Sequence, residues 1–137
     1  MKNTFNIFIV EDNRMYQKMF THILGSDKTL EFFLFDNGQH CLDALGQKPD
    51  IVFMDYYLPD LDGVSLIGRI RSQNPNTEVI VLSGQVEIST ALQLLRLGVY
   101  DVITKDVTMK YRLVNIIKHL KELIALRQQL IELSSTF

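Results

Sequence analysis

Five short apolar runs punctuate the chain, and helical spacing fills the stretches between them. Phe5 to Val10, Leu30 to Phe35, Ile51 to Met54, Glu78 to Leu82 and Val99 to Ile103 are β-rich or continuously apolar, with turn residues close by. Strands buried on both faces of a parallel sheet have this pattern. Elsewhere apolar residues recur at three- and four-residue steps. Residues 14–24 carry Met15, Met19, Phe20, Ile23 and Leu24 and stop at Gly25-Ser26, and residues 39–46 carry Cys41, Leu42 and Leu45 and stop at Gly46. A third helix follows Gly63 through Val64, Leu66, Ile67 and Ile70 and halts before Asn74-Pro75-Asn76. A fourth spans about Val86 to Leu97, ended by Gly98. Strands alternating with helices through short links predict an α/β, doubly wound fold with a five-stranded parallel sheet and right-handed crossovers.

The last helical pattern is longer than the others. From Val107 it continues to about Leu133, roughly 40 Å at about 1.5 Å per residue, more than a sheet of this size covers. Leu113, Ile117, Leu120 and Ile124 suit packing on the sheet, whereas Ile116, Leu123, Leu126, Leu130 and Leu133 recur at coiled-coil steps with His119 filling the gap. The second stripe predicts a seam projecting past the domain, where a second copy of the chain forms a homodimer. The alternative is a long helix folded back on its own domain. The expected division is a domain over residues 1–123 and a helical extension over 124–137.

Composition narrows the function classes. The 137 residues are 47% apolar and 22% charged, with a net charge of −2, as in one soluble domain and with no electrostatic footprint for nucleic acid or an anionic membrane. Charges interrupt every apolar stretch short of the roughly 18 residues a spanning helix needs. With no leader at the amino end, a cytoplasmic protein is expected. Cys41 is the lone cysteine, so an internal disulfide is excluded and a packing role on a short helix is expected.

The carboxyl ends of the strands carry the chemistry. The organising stretch is Pro49 to Gly63, whose apolar run ends on Asp55 and continues into Leu58-Pro59 and Asp62-Gly63. A strand interior has no use for Asp, but the crevice at the carboxyl edge of a parallel sheet does. Glu11 and Asp12 follow the first strand, Ser83-Gly84 the fourth and Lys105 the fifth. Three acids in one crevice repel one another, and a hard divalent cation relieves that. Mg2+ suits direct ligation by Asp12, Asp55 and the backbone carbonyl of Tyr57, with Glu11 acting through water. A phosphoryl group drawn to such a site needs alignment and charge stabilisation. Lys105 and the Ser83 hydroxyl supply the latter, Asp55 is the nucleophile, and Gly84 leaves room for the incoming group.

These residues, in this order, resemble a response-regulator receiver domain of two-component phosphorelays, over about residues 5–123. The matching positions are the acid pair Glu11-Asp12, Asp55 within Asp-x-x-Leu-Pro-x-x-Asp-Gly (Asp55, Leu58, Pro59, Asp62, Gly63), Ser83 and Lys105. The resemblance implies a flavodoxin-like sheet of order 2-1-3-4-5 and Asp55 as phosphoacceptor with Mg2+. It also implies a histidine kinase or histidine phosphotransfer protein as donor, and an output domain or effector protein that reads the change. The domain is then a signalling phosphoacceptor and not an enzyme in its own right.

Two positions depart from the family pattern. Val102 stands where an aromatic usually precedes the lysine by three residues, with Tyr100 two residues earlier, and Asp106 stands where proline usually follows it. Two other readings compete. A pseudo-receiver takes no phosphate and only binds proteins, against which the intact acids, Ser83 and Lys105 argue. A haloacid-dehalogenase-type phosphatase is suggested by Asp60-Leu61-Asp62-Gly63-Val64, but that motif directly follows a buried strand, and here Leu58-Pro59 intervenes.

Overall fold

The computed structural model describes residues 4–135. The expected segment ends at 1–3 and 136–137 lie outside the described residues. Along the chain come β1 (Phe5–Val10), α1 (Arg14–Leu24), β2 (Leu30–Phe35), α2 (Gly38–Asp43), a 3-10 turn (Leu45–Gln47) and β3 (Ile51–Asp55). Then follow α3 (Gly63–Gln73), β4 (Glu78–Ser83), α4 (Ile88–Arg96), β5 (Asp101–Thr104) and α5 (Met109–Ser135). The strands form one sheet in the order β2-β1-β3-β4-β5, every neighbouring pair parallel.

Alternation along the central strands divides the core in two. Ile7, Ile9, Phe53, Ile80, Leu82 and Ile103 face one side, where Phe20 and Leu24 of α1 and Leu113, Ile117 and Leu120 of α5 cover them. Phe8, Val10, Val52, Met54, Val79 and Val81 face the other, under Cys41 and Leu42 of α2, Leu66, Ile67 and Ile70 of α3, and Leu94 of α4. Burial on both faces explains why β1, β3 and β4 read as continuous apolar runs. Side-chain caps fix where helices start: Asn13 accepts from the backbone N–H groups of Met15 and Tyr16, Asn37 from that of His40, and Asp62 from that of Val64.

Several boundaries differ from the sequence pattern. The fifth strand begins at Asp101, not Val99, because α4 closes through Gly98 at φ 91° and the N–H of Val99 still bonds back to Leu94 at 3.4 Å. The second helix ends at Asp43 and tightens into the 3-10 turn, which leaves through Lys48 at φ 53°. The fourth helix starts at Ile88, two residues later than Val86. The last starts at Met109, after Asp106 turns the chain: its Oδ1 accepts from Thr108 N at 2.8 Å and from Thr108 Oγ1 at 2.6 Å.

The long helix is continuous, but its second apolar stripe is shared between the core and the surface. Ile116 is buried and Leu123 packs against the α1–α5 core, while Leu126, Leu130 and Leu133 are exposed. Beyond the core α5 passes the amino ends of β3 and β4, where Arg127 Nη2 meets Glu78 Oε1 at 2.6 Å. Leu126, Leu130 and Leu133, like His119 before them, thus lie on the exposed side of the helix.

Candidate functional site

The carboxyl edge of the sheet collects the residues expected there. Register pairs Asp55 with Leu82 and Ser83 with Thr104, and the N–H of Lys105 donates to the carbonyl of Ser83 at 2.8 Å. Asp55, Ser83 and Lys105 thus leave three adjacent strands at one level, and Glu11 and Asp12 leave β1 beside them. Tyr56 is tied in as well, its N–H donating to Leu82 O at 2.9 Å.

Lys105 bridges two of the acids. Its Nζ donates to Glu11 Oε2 at 2.8 Å and to Asp55 Oδ2 at 3.0 Å, with the lysine side chain 8% exposed, Glu11 1% and Asp55 11%. The second oxygens are also engaged: Asp55 Oδ1 accepts from Tyr57 N at 3.0 Å, and Glu11 Oε1 from Asn13 N at 3.1 Å. Burial disfavours the lysine charge, but hydrogen bonds and attraction from Glu11 and Asp55 outweigh it and hold the ammonium above its ordinary pKa. Burial pushes the Glu11 carboxyl up, and neighbouring Asp55 adds to that, against the pull of Lys105 and the Asn13 N–H.

Asp12 is the exposed member of the acid group. One carboxylate oxygen from each of Glu11, Asp12 and Asp55 lies within 4.8 Å of the others. A cluster of hard oxygen donors with an open side fits Mg2+, which keeps several waters and takes one or two carboxylates. Ser83 is fully buried, and its Oγ exchanges hydrogen bonds with the backbone of Gln85, donating to the carbonyl at 3.2 Å and accepting from the N–H at 3.4 Å. A Cβ added to Gly84 would meet nothing within 4 Å, and Tyr56, Tyr57, Gly84 and Gln85 line an open cleft beside the site.

The acids of the phosphatase-like motif are used differently. Asp60 accepts from the backbone N–H groups of Gly38 and Gln39 at 2.8 and 2.9 Å, anchoring the start of α2. Asp62 caps α3 and accepts from Ser65 Oγ at 3.2 Å. Neither contributes to the acid cluster.

Two site residues escaped the sequence pattern. Tyr16, in the first turn of α1, places its ring centroid 4.1 Å from the Lys105 ammonium. Gln17 donates from Nε2 both to the carbonyl of Glu11 and, at 2.8 Å, to Asp36 Oδ1, tying the β1–α1 loop to the end of β2. Nothing in the helical pattern of α1 marks either residue, because the partners that define them lie on other elements. The two departures also have places: Val102 packs partly buried against the α2–α4 core, Tyr100 is exposed, and Asp106 forms the turn that precedes α5, with no cis peptide among the described residues.

Comparison with known proteins agrees with this fold. Residues 7–118 match the family model of the response regulator receiver domain. The protein-glutamate methylesterase/protein-glutamine glutaminase 2 of Paramagnetospirillum magneticum is 32% identical over 112 residues, which are 78% of this chain and 32% of that protein. The regulatory protein AtoC of Escherichia coli is 30% identical over 100 residues, 72% of this chain and 22% of that protein. The chain thus spans a minor part of either relative's length. Among solved structures, the REC domain of AraT, a response regulator from Geobacillus stearothermophilus, superposes with a TM-score of 0.81 at 26% identity, covering 91% of this chain and 98% of that one.

Proposed function

The chain belongs to the response regulator receiver domain family, and on that premise we propose that it accepts a phosphoryl group on Asp55 from a histidine kinase or histidine phosphotransfer protein. The observation that carries this reading is the Lys105 ammonium held at 3.0 Å from Asp55 Oδ2 and 2.8 Å from Glu11 Oε2, inside an acid cluster. A carboxylate so placed is a nucleophile beside a fixed cation.

In the transfer an Asp55 oxygen bonds to phosphorus as the donor's phosphorus–nitrogen bond breaks, its electron pair returning to the imidazole. The product is an aspartyl phosphate. Lys105 moves its hydrogen bond from the Asp55 carboxylate to a phosphoryl oxygen, and Ser83 turns its hydroxyl from the Gln85 carbonyl to another. Asp12, Asp55 and the backbone carbonyl of Tyr57 would hold Mg2+, with Glu11 acting through water. Bound there, Mg2+ neutralises charge on the phosphoryl oxygens. Glu11 keeps Lys105 in place throughout.

The new phosphate then favours one arrangement of the loops after Ser83 and Lys105, and a partner reads the face of β4, α4, β5 and α5. That face is apolar and open, with Ile88 80% and Tyr111 72% exposed. Val102 has no hydroxyl-bearing ring, so the signal travels through the backbone around Gly84 and Asp106. The exposed Leu126, Leu130 and Leu133 favour pairing with a second copy along the end of α5. The domain signals, and its only catalysis is of its own phosphotransfer and autodephosphorylation. No helix among the described residues is long and apolar enough to cross a membrane.

Incubation with a small acyl phosphate and Mg2+ tests the reading. Intact mass is expected to rise by one phosphoryl group, and not in Asp55→Asn or in chelator. An unmodified wild type would favour the pseudo-receiver, and turnover of phosphate esters lost on Asp60→Asn would favour the phosphatase.

A further inference from the structure

The Lys105 ammonium has three hydrogens and two carboxylate partners, Glu11 and Asp55. It is nevertheless only 8% exposed. Beside it stands the ring of Tyr16, whose centroid is 4.1 Å from Nζ. That is well inside the roughly 6 Å within which a ring face attracts a cation, an attraction that grows as water is removed. Tyr16 is itself anchored. Its N–H is capped by Asn13 at 3.2 Å, and its side chain packs against the core cluster that holds Phe20, Ile103 and Leu113.

Lysine is a point charge on a flexible four-carbon stem, and its ordering is entropically expensive. During transfer it must let go of one carboxylate oxygen and take up a phosphoryl oxygen while staying in the crevice. At that moment the ring is a contact that does not depend on the reacting group. We propose that Tyr16 is a positioning residue for phosphoryl transfer: its ring holds the Lys105 ammonium at Asp55 and excludes water from the side the carboxylates leave open. The inference rests on the phosphoacceptor reading of Asp55 and deepens it. The bonds made and broken are unchanged, and Tyr16 touches only the lysine.

The ring, not the hydroxyl, does this, so the variants separate cleanly. Tyr16→Phe keeps a ring of the same reach, Tyr16→Leu keeps apolar bulk without one, and Tyr16→Met replaces leucine should that variant fail to fold. In metal-free protein the Lys105 Cε protons are expected to show a ring-current shift in NMR spectra in wild type and Tyr16→Phe, and to lose it in Tyr16→Leu. With a small acyl phosphate and Mg2+, the phosphorylation rate at saturating donor is expected to fall about tenfold in Tyr16→Leu, between the sizes of an exposed and a desolvated cation–ring contact. Tyr16→Phe should stay within about twofold of wild type. An unchanged rate in Tyr16→Leu would overturn the inference while leaving Asp55 as phosphoacceptor. An equal loss in Tyr16→Phe would also overturn it, by assigning the effect to the hydroxyl. A wild type that takes no phosphate at all, ring shift intact, would refute the phosphoacceptor reading and remove the role proposed for Tyr16.

Discussion

Asp12→Asn should make this protein more stable in chelator and less useful in Mg2+. One oxygen of Asp12 lies within 4.8 Å of an oxygen of Glu11 and of one of Asp55. Two like charges about 4 Å apart repel by ~1 kcal/mol in water and by ~4 kcal/mol at the dielectric of a protein surface. Asp12 is exposed, so the lower figure applies to each of its two repulsions. The Lys105 ammonium, bonded to both Glu11 and Asp55, offsets about one of them, which leaves roughly 1 kcal/mol gained on removing the charge. Mg2+ reverses the order. At about a hundred times its Kd a ligand that binds only the folded state adds ~2.7 kcal/mol, and the variant forfeits most of that. Urea unfolding of both proteins, in chelator and in Mg2+, gives the four midpoints needed. A variant less stable than wild type in chelator would refute the electrostatic reasoning, and an equal Mg2+ response in both would remove Asp12 from the metal site.

Three further outcomes follow from other parts of the fold. Burial acts to raise the Asp27 carboxyl, but bonds from Lys121 and Thr29 outweigh it and hold the group below its ordinary range. The pair therefore adds stability above the unfolded pKa of ~3.9 that is lost as pH falls through the lower folded value. Asp27→Asn should cost about 0.5–1 kcal/mol in urea at neutral pH and flatten that acid limb, and an unchanged limb would contradict the assignment. Gly98→Ala should cost roughly 1–2 kcal/mol, because φ is 91° there and a new Cβ would lie 3.4 Å from the Arg71 guanidinium; thermal unfolding within error of wild type would count against it. Burial pushes the Cys41 thiol up to about 12, so a thiol reagent should label it only as fast as the domain unfolds, and immediate labelling of native protein would show that the α2 packing is wrong.

How far the sequence led depended on whether a feature is local. Ile51 to Met54 and Val79 to Leu82 were readable as strands because burial on both faces suppresses polar residues throughout. Asp55, Ser83 and Lys105 were readable because a polar group just past such a run has no structural excuse. The start of β5 was not, since the left-handed turn at Gly98 and the bond from Val99 back to Leu94 decide it, and an apolar residue looks alike in strand and cap. The seam on α5 was half legible. Spacing alone could not show that Ile116 and Leu123 belong to the core, nor that Arg127 is held by Glu78, 49 residues away. Tyr16 was hidden for the same reason: its partner Lys105 sits on β5's far end, and nothing in the helical pattern of α1 distinguishes a ring over a cation from a ring in the core.

The central claim is that side chains from β1, β3, β4 and β5 converge on a phosphoryl group carried by Asp55. A crystal structure of the protein with beryllofluoride and Mg2+ tests it most directly. The account predicts the adduct on Asp55, with Lys105 Nζ and Ser83 Oγ each at hydrogen-bond distance from a fluorine and the cation held by Asp12, Asp55 and the Tyr57 carbonyl. An adduct on another carboxylate, or Ser83 still bonded to the Gln85 carbonyl with Asp55 modified, would contradict it.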